Sequence, residues 1–461
     1  MPNQKPLVLA LAASLALVLA APQADAQRKR AAKKPATPAV TACSDLYGFV
    51  NKDWLAANTV VGGSGMVSAL GELQQRAAQQ QRELLNAAMQ APQNDVQRLL
   101  GDFWASGLDE AAVEADGGKP IASLVARIDA IKRSKDIAPS IAALHQVGIP
   151  VAFNFTADLD LADLDRHVGY FSQGGLALPD PAYYTREDAD TRALLGRYTE
   201  YVEKILLLTG TPQDKVKAEM AQVLDLETRI ARASRPVTAL RDPRENYALV
   251  PTAGLAKQFK QLQLDQFLQA QGVKDDSVSM ANPAYFTELD TLVRTLKPAQ
   301  WKVYLRYQIG NAMAPYLSKD FRDADFQFNG RVLRGQAAPL PRDVQVVNAI
   351  TRAAGPMLGR EYVARYLPAS NRERAEAIAG DVRAALGRAV DRNAWMADAT
   401  RAEARAKLEK LKIEVGAPRR DLDYTVQPMG RNSFGSNMLI ASTWHHREEM
   451  RRIGRGNAER R

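Results

Sequence analysis

Gly169–Thr185 reads GYFSQGGLALPDPAYYT, and this stretch decides how the chain is read. Val168 and Tyr170 suit a short strand that runs into a Gly174-Gly175 turn and then a Pro179-Asp180-Pro181 corner. Paired glycines reach backbone angles closed to other residues, and two prolines forbid helix across the corner. So rigid and aromatic-rich a turn is not a generic linker.

Upstream, the dominant period is helical. Ala69, Leu70, Leu73 and Ala77, then Leu84, Leu85 and Ala88, place apolar groups at three- and four-residue steps. Similar patterns run through Val96–Phe103, Ile121–Ile131 and Ile141–Val147. At Ile149–Phe155 (IPVAFNF) the pattern turns β-prone, and Val168–Phe171 is its expected antiparallel partner. The DLDLADLD between them reads as a polar turn with four solvated acids rather than a metal loop. Downstream, helices are expected from Thr185–Asp188 through Leu208 with a stop at Gly210, over Gln213–Ala233, and twice within Asn282–Leu317. Val344–Tyr366 should be helical with a kink at Gly355-Pro356, and Ser370–Glu373 and Thr400–Glu403 fit capping boxes. The fold class is mainly α: a large multi-helix lobe with a small antiparallel β element. No fixed-period repeat is present.

Hydrophobic and charged contents of 46% and 25% place the chain among ordinary globular proteins. At the N-terminus, Lys5, the apolar run Leu7–Ala21 and Ala24-Asp25-Ala26 form a signal pattern cleaved after Ala26, with a membrane anchor as the alternative. Residues 27–42 carry Arg28, Lys29, Arg30, Lys33 and Lys34 with two prolines, the composition of a disordered basic spacer. The net charge of +9 could favour anionic surfaces, but an exported chain rarely meets nucleic acid, so none is expected as a partner. Cys43 is the only cysteine: it is a free thiol, pairs with something outside the chain, or lies inert and buried.

Several blocks, in order, resemble the neprilysin and endothelin-converting-enzyme family of zinc metallopeptidases. They are Cys43–Tyr47 with Val50-Asn51 and Trp54-Leu55, Gly148–Phe155, GGLALPDPAYY, Glu227–Ala231 with Arg241-Asp242 and Tyr247, and Trp395-Met396 with Thr400, Ala404 and Lys407-Leu408. The resemblance implies a helical lobe that caps a thermolysin-like catalytic lobe, a cavity admitting oligopeptides, and zinc in the full-length family. It implies that Cys43 pairs with a cysteine near the far C-terminus. It places Gln74 where relatives often carry an arginine that binds the substrate's C-terminal end; glutamine keeps hydrogen bonding and loses the charge.

The zinc chemistry itself is missing. A zincin needs histidines at i and i+4 on a helix with a glutamate beside the first. The four histidines are His145, His167, His445 and His446, and no two are four apart. Neighbours on a helix diverge by about 100°, so His445 and His446 cannot share an ion and read as a charged, exposed helix end. His145 and His167 read as satisfied structural residues. Asn457-Ala458 lacks the aromatics of the family's substrate-aligning segment. No Gly-x-Ser-x-Gly or phosphate loop stands in usable context, and Gly62–Gly65 is a flexible loop. No catalytic or metal residue is therefore assigned, and no zinc is expected on this chain.

The expected organisation is a signal peptide at 1–26, a spacer at 27–42, a leading segment at 43–64 that in the family packs on the catalytic lobe, a helical lobe at 65–441, and a truncated junction at 442–461. The chain then reads as the N-terminal portion of an exported, periplasmic or secreted metallopeptidase, inactive by itself. The alternatives are a non-catalytic exported module that binds peptides or proteins, and a basic envelope protein. Segments 43–64 and 430–461 are expected to be poorly anchored.

Overall fold

The computed structural model describes residues 41–58, 68–417 and 429–456. The signal segment, the spacer through residue 40, Gly62–Gly65 and Asn457-Ala458 lie outside the described residues. The chain divides into two units, Met1–Thr59 and Val60–Arg461.

The first unit contributes α1 (Leu46–Val50) and α2 (Lys52–Ala57). Asp45 caps α1 by accepting the Gly48 N–H at 2.9 Å. Neither helix buries a side chain, and Leu46, Tyr47, Phe49 and Val50 are exposed. Cys43 is an exposed free thiol, which removes the inert-and-buried alternative.

The second unit opens with α3 (Ala69–Gln90), α4 (Asp95–Leu108), α5 (Glu110–Asp116), α6 (Lys119–Asp129) and α7 (Ile137–Gln146). The hairpin β1 (Phe153–Asp160) and β2 (Asp163–Gln173) follows, then α8 (Ala189–Leu208) and α9 (Val216–Ala233). Next come β3 (Leu249–Pro251), α10 (Leu255–Gln258), α11 (Leu264–Ala270) and β4 (Ser277–Ser279). The remainder is α12 (Pro283–Thr295), α13 (Pro298–Met313), α14 (Lys319–Asp325), α15 (Arg342–Tyr366), α16 (Ala369–Asp391), α17 (Asp398–Glu409) and α18 (Phe434–Met450).

Local signals set most boundaries. Asp188 caps α8 through the Thr191 N–H and hydroxyl, each at 2.9 Å, and Gly210 ends its turn at φ +102°. Helix α13 is buried around most of its circumference, so it sits at the centre: Trp301, Tyr304, Leu305, Tyr307 and Ile309 are all buried, against α6, α8 and α9, and Lys302 and Arg306 share the remaining face. The two expected capping boxes do not form. Helices α16 and α17 start earlier, after Pro368 and Ala397, and neither has a side-chain cap. Pro368 holds an extended-side backbone ahead of Ala369, so Ser370 falls inside the first turn.

The sheet is larger than expected and mixed, in the order β1-β2-β4-β3, with β2 and β4 parallel and the other pairs antiparallel. The acids of DLDLADLD lie mostly within the strands, leaving Leu161-Ala162 as the turn. Asp160 is not solvated; it is buried, bonded to the Tyr247 hydroxyl and 3.6 Å from the Arg166 guanidinium. Those partners let a residue with poor β-propensity stand in a strand.

Helix α15 breaks where expected. Ala354 leaves the helical region (φ −143°, ψ 29°), and Pro356 has no N–H for the carbonyl one turn back. The final segment is firmly held, against expectation. Phe434, Met438, Ala441, Trp444 and Met450 of α18 are buried, and the helix crosses residue 442 without a break. Beyond it, the Arg455 carbonyl accepts the His167 N–H at 3.0 Å and the Gly454 N–H reaches the His167 carbonyl at 3.0 Å. By contrast, α16 and α17 bury no side chain, and Ile378, Val382, Leu386 and Trp395 are exposed.

Candidate functional site

Two polar centres flank the Gly174–Tyr184 corner and the start of β1. The first is closed. Gly175 has φ +77°, and a Cβ there would lie 2.7 Å from both the Ala152 Cα and the Tyr304 hydroxyl. Only glycine fits that approach. The Tyr304 hydroxyl donates to the Gly175 carbonyl at 2.7 Å and accepts the Ala152 N–H at 3.1 Å. The Tyr285 hydroxyl sits 2.6 Å from the Ala152 carbonyl and 2.8 Å from that of Gly174. These bonds over-determine Ala152, which holds φ +64° while fully buried.

At the centre lies Glu227 of α9, with no exposed surface. Its Oε2 accepts the hydroxyls of Tyr198 at 2.5 Å and Tyr184 at 3.1 Å, and its Oε1 accepts Gln308 Nε2 at 3.0 Å. Burial pushes its carboxyl up to about 7, although the hydrogen bonds from Tyr198, Tyr184, the Ala177 backbone and Gln308 oppose that rise. Burial also pushes the hydroxyls of Tyr184, Tyr198, Tyr304 and Tyr307 well above their ordinary value. Every oxygen of the carboxyl is occupied by protein donors, so this hub fastens the corner and takes no ligand.

The second centre is open. A cavity of about 390 Å³ lies between β1 and α18. Asn154, Phe155 and Thr156 line one side, Ser442, His445, His446 and Glu449 the other, with His145, Gly148, Pro150 and Arg352 completing it. Gly148 has φ +74°, and a Cβ there would run into Ser442, so α18 closes directly on the backbone that leads into β1. Glu449 Oε1 accepts the Ala157 N–H at 3.1 Å.

The histidines behave differently from their sequence reading. His145 is buried with Nε2 3.1 Å from the Val151 carbonyl, and its ring packs 4.9 Å from Phe153 and 5.0 Å from Phe267. His446 places Nε2 2.8 Å from Gln271 Oε1, while Gln271 Nε2 donates to the Ala142 carbonyl at 3.0 Å. That second bond fixes the amide, so His446 carries its proton on Nε2. Burial pushes both His145 and His446 down to about 4. His445 Nε2 reaches the Ala353 carbonyl at 2.6 Å, at the break in α15. His445 and His446 are therefore half-buried and engaged, correcting their reading as an exposed charged end. His167 also departs from expectation: its Nδ1 is 3.5 Å from the Arg455 carbonyl, and its buried Nε2 has no hydrogen-bond partner among the described residues.

These residues do not fit a zinc ion. Among the described residues no three His, Cys, Asp or Glu side chains are placed to hold a metal. His445 and His446 each commit Nε2 to a protein acceptor in a different direction. Gln74 is exposed on α3 and does not line the cavity. Sequence reading missed Tyr285, Tyr304, Gln308, Arg352 and Glu449. The four-residue step from Tyr304 to Gln308 was a visible signal, whereas the bond of Glu449 to Ala157 joins residues far apart in the chain.

A helical lobe with a small mixed sheet is the architecture of the N-terminal portion of a metallopeptidase. A sequence model described as peptidase family M13 matches residues 42–418, and the chain belongs to that family. Endothelin-converting enzyme-like 1 of Homo sapiens is 26% identical over 407 residues, covering 84% of this chain and 51% of its own length. Neprilysin-3 of Drosophila melanogaster is 24% identical over 412 residues, covering 85% and 52%. The Mycobacterium tuberculosis zinc metalloprotease Zmp1, solved with an inhibitor, superposes with a TM-score of 0.81 at 26% identity, over 91% of this chain and 64% of that one. The chain spans about half the length of the curated relatives it matches. Among the described residues no helix is long and apolar enough to cross a membrane.

Proposed function

We propose that this chain is the cleft-capping N-terminal portion of an exported zinc metallo-endopeptidase acting on oligopeptides, and that by itself it does not hydrolyse them. The observation that carries the reading is the match to peptidase family M13 across residues 42–418 in a chain whose four histidines hold no zincin spacing. The signal pattern at 1–26 supports export to the periplasm or medium. The leading segment 43–64 and the exposed stripe Ile378, Val382 and Leu386 on α16 suit contact with the length that relatives have and this chain does not span. Cys43, exposed and unpaired, suits a disulfide to that portion.

The test is direct. The purified 461-residue chain, supplied with zinc, should bind no stoichiometric metal and cleave no fluorogenic oligopeptide. Turnover that a chelator abolishes would overturn the reading. A non-catalytic peptide-binding role gains from one observation, the open cavity between β1 and α18.

A further inference from the structure

We propose that the cavity between β1 and α18 binds the C-terminal end of a peptide, held as a one-residue strand on Phe155 with its carboxylate on Arg352. The proposal rests on the reading above only for the class of ligand, and it needs no metal.

The edge of the sheet carries the first half of the argument. β1 is an end strand, and its register with β2 is unbroken from Phe153↔Gln173 to Leu159↔His167. In an antiparallel ladder alternate residues turn their N–H and C=O toward the partner strand and away from it. The Ala157 N–H faces away from β2, because it donates to Glu449. Phe155, two residues earlier, shares that orientation, so its N–H and C=O face the cavity it lines. An extended peptide residue opposite Phe155 would exchange both main-chain hydrogen bonds with it. Glu449 already occupies the next position and stops a longer strand from adding.

Charge carries the second half. Of the side chains that line the cavity, Arg352 is the one guanidinium or ammonium group; burial pushes His145 and His446 down to about 4, and the one carboxylate, Glu449, accepts the Ala157 N–H. Arg352 is hydrogen-bonded to the neutral Tyr316 hydroxyl, and no ion pair to it is present among the described residues. A peptide's terminal carboxylate matches such a guanidinium in charge and in paired geometry. Pro150, which is exposed, supplies apolar wall for the last side chain, and about 390 Å³ lies within the range of small-ligand sites.

Fluorescence anisotropy with the full chain provides the test, using a dye-labelled alanine tetrapeptide in three forms: free acid, C-terminal amide, and free acid N-methylated at the last residue. A charge-assisted bond to arginine corresponds to roughly tenfold or more in affinity. The free acid should bind saturably, and the amide and the N-methyl peptide should each bind at least about tenfold more weakly. Arg352→Gln should abolish the preference for acid over amide; Arg352 is exposed, so the variant should fold like the parent. Equal binding of acid and amide, an unchanged preference in Arg352→Gln, or no saturable binding would each overturn the proposal. None of these results bears on the hydrolysis test, so the two readings fail separately.

Discussion

Helices α13 and α16 are both long and regular, yet they live in opposite surroundings. α13 buries Trp301, Tyr304 and Tyr307 completely and supplies Tyr304 and Gln308 to the corner and its glutamate, whereas α16 buries nothing. Ile378, Val382 and Leu386 still repeat every four residues along α16, so that helix has an apolar stripe without a cover among the described residues. The difference separates two uses of apolar sequence. One stripe holds this lobe together, and the other is surface that the lobe's own stability does not require.

The sharpest way to break that contrast is to cut into each helix. Trp301→Ala should lower unfolding free energy in urea by about 3–5 kcal/mol, through lost burial and the cavity left behind. Leu386→Ala should change it by less than about 0.5 kcal/mol, as for an exposed site. A comparable loss at both would show that α16 is packed in solution. Next comes Gly175→Ala, which must force apart Tyr304 and Ala152 or abandon φ +77°; a loss of about 1–3 kcal/mol is expected in the same assay. A neutral result would mean that the corner is not tied to α13.

A smaller effect concerns pH. Glu227 is raised in the fold, so the stability it contributes is full below its unfolded value near 4.5 and is lost as pH rises towards 7. His145 and His446 are depressed, so their contribution is full above about 6.5 and is lost as pH falls towards 4. The two slopes oppose each other between these limits. In Glu227→Gln, unfolding free energy should therefore rise more steeply from pH 4.5 to 6.5 than in the parent. An identical pH profile would remove Glu227 from the account. Smallest of all, Ile378→Lys with Val382→Lys should leave the melting temperature within a degree or two while reducing self-association in size-exclusion chromatography. A collapse of stability would place that stripe inside a core.

The corner, most helices and the break in α15 were legible because they are written in local chemistry: glycine, proline, an aspartate cap and helical spacing. What secures the corner was not. Tyr285 and Tyr304 lie more than a hundred residues from Gly174 and Gly175, and nothing in their own neighbourhood announces that their hydroxyls meet those carbonyls. The strands through DLDLADLD were hidden for a similar reason, since Asp160 becomes tolerable only once the Tyr247 hydroxyl arrives from far along the chain to join nearby Arg166. The capping boxes failed in the other direction: at α16 a proline two positions upstream outranked a matching spacing, and α17 begins after Ala397, ahead of its box. The cavity was invisible because its wall, α18, meets β1 across nearly three hundred residues, while two of its histidines read as an exposed helix end.

The bond from His445 to the carbonyl of Ala353 has a mechanical consequence. A proline break normally works as a swivel, because the two halves of the rod lose the bonds that resist bending. Here a ring from a neighbouring rod grips the backbone just before the break. Any bending of α15 at Pro356 must drag α18 with it or give up that grip. The wall of the cavity and the arm leading to α16 are thus geared together, and a force on one is felt as torque on the other.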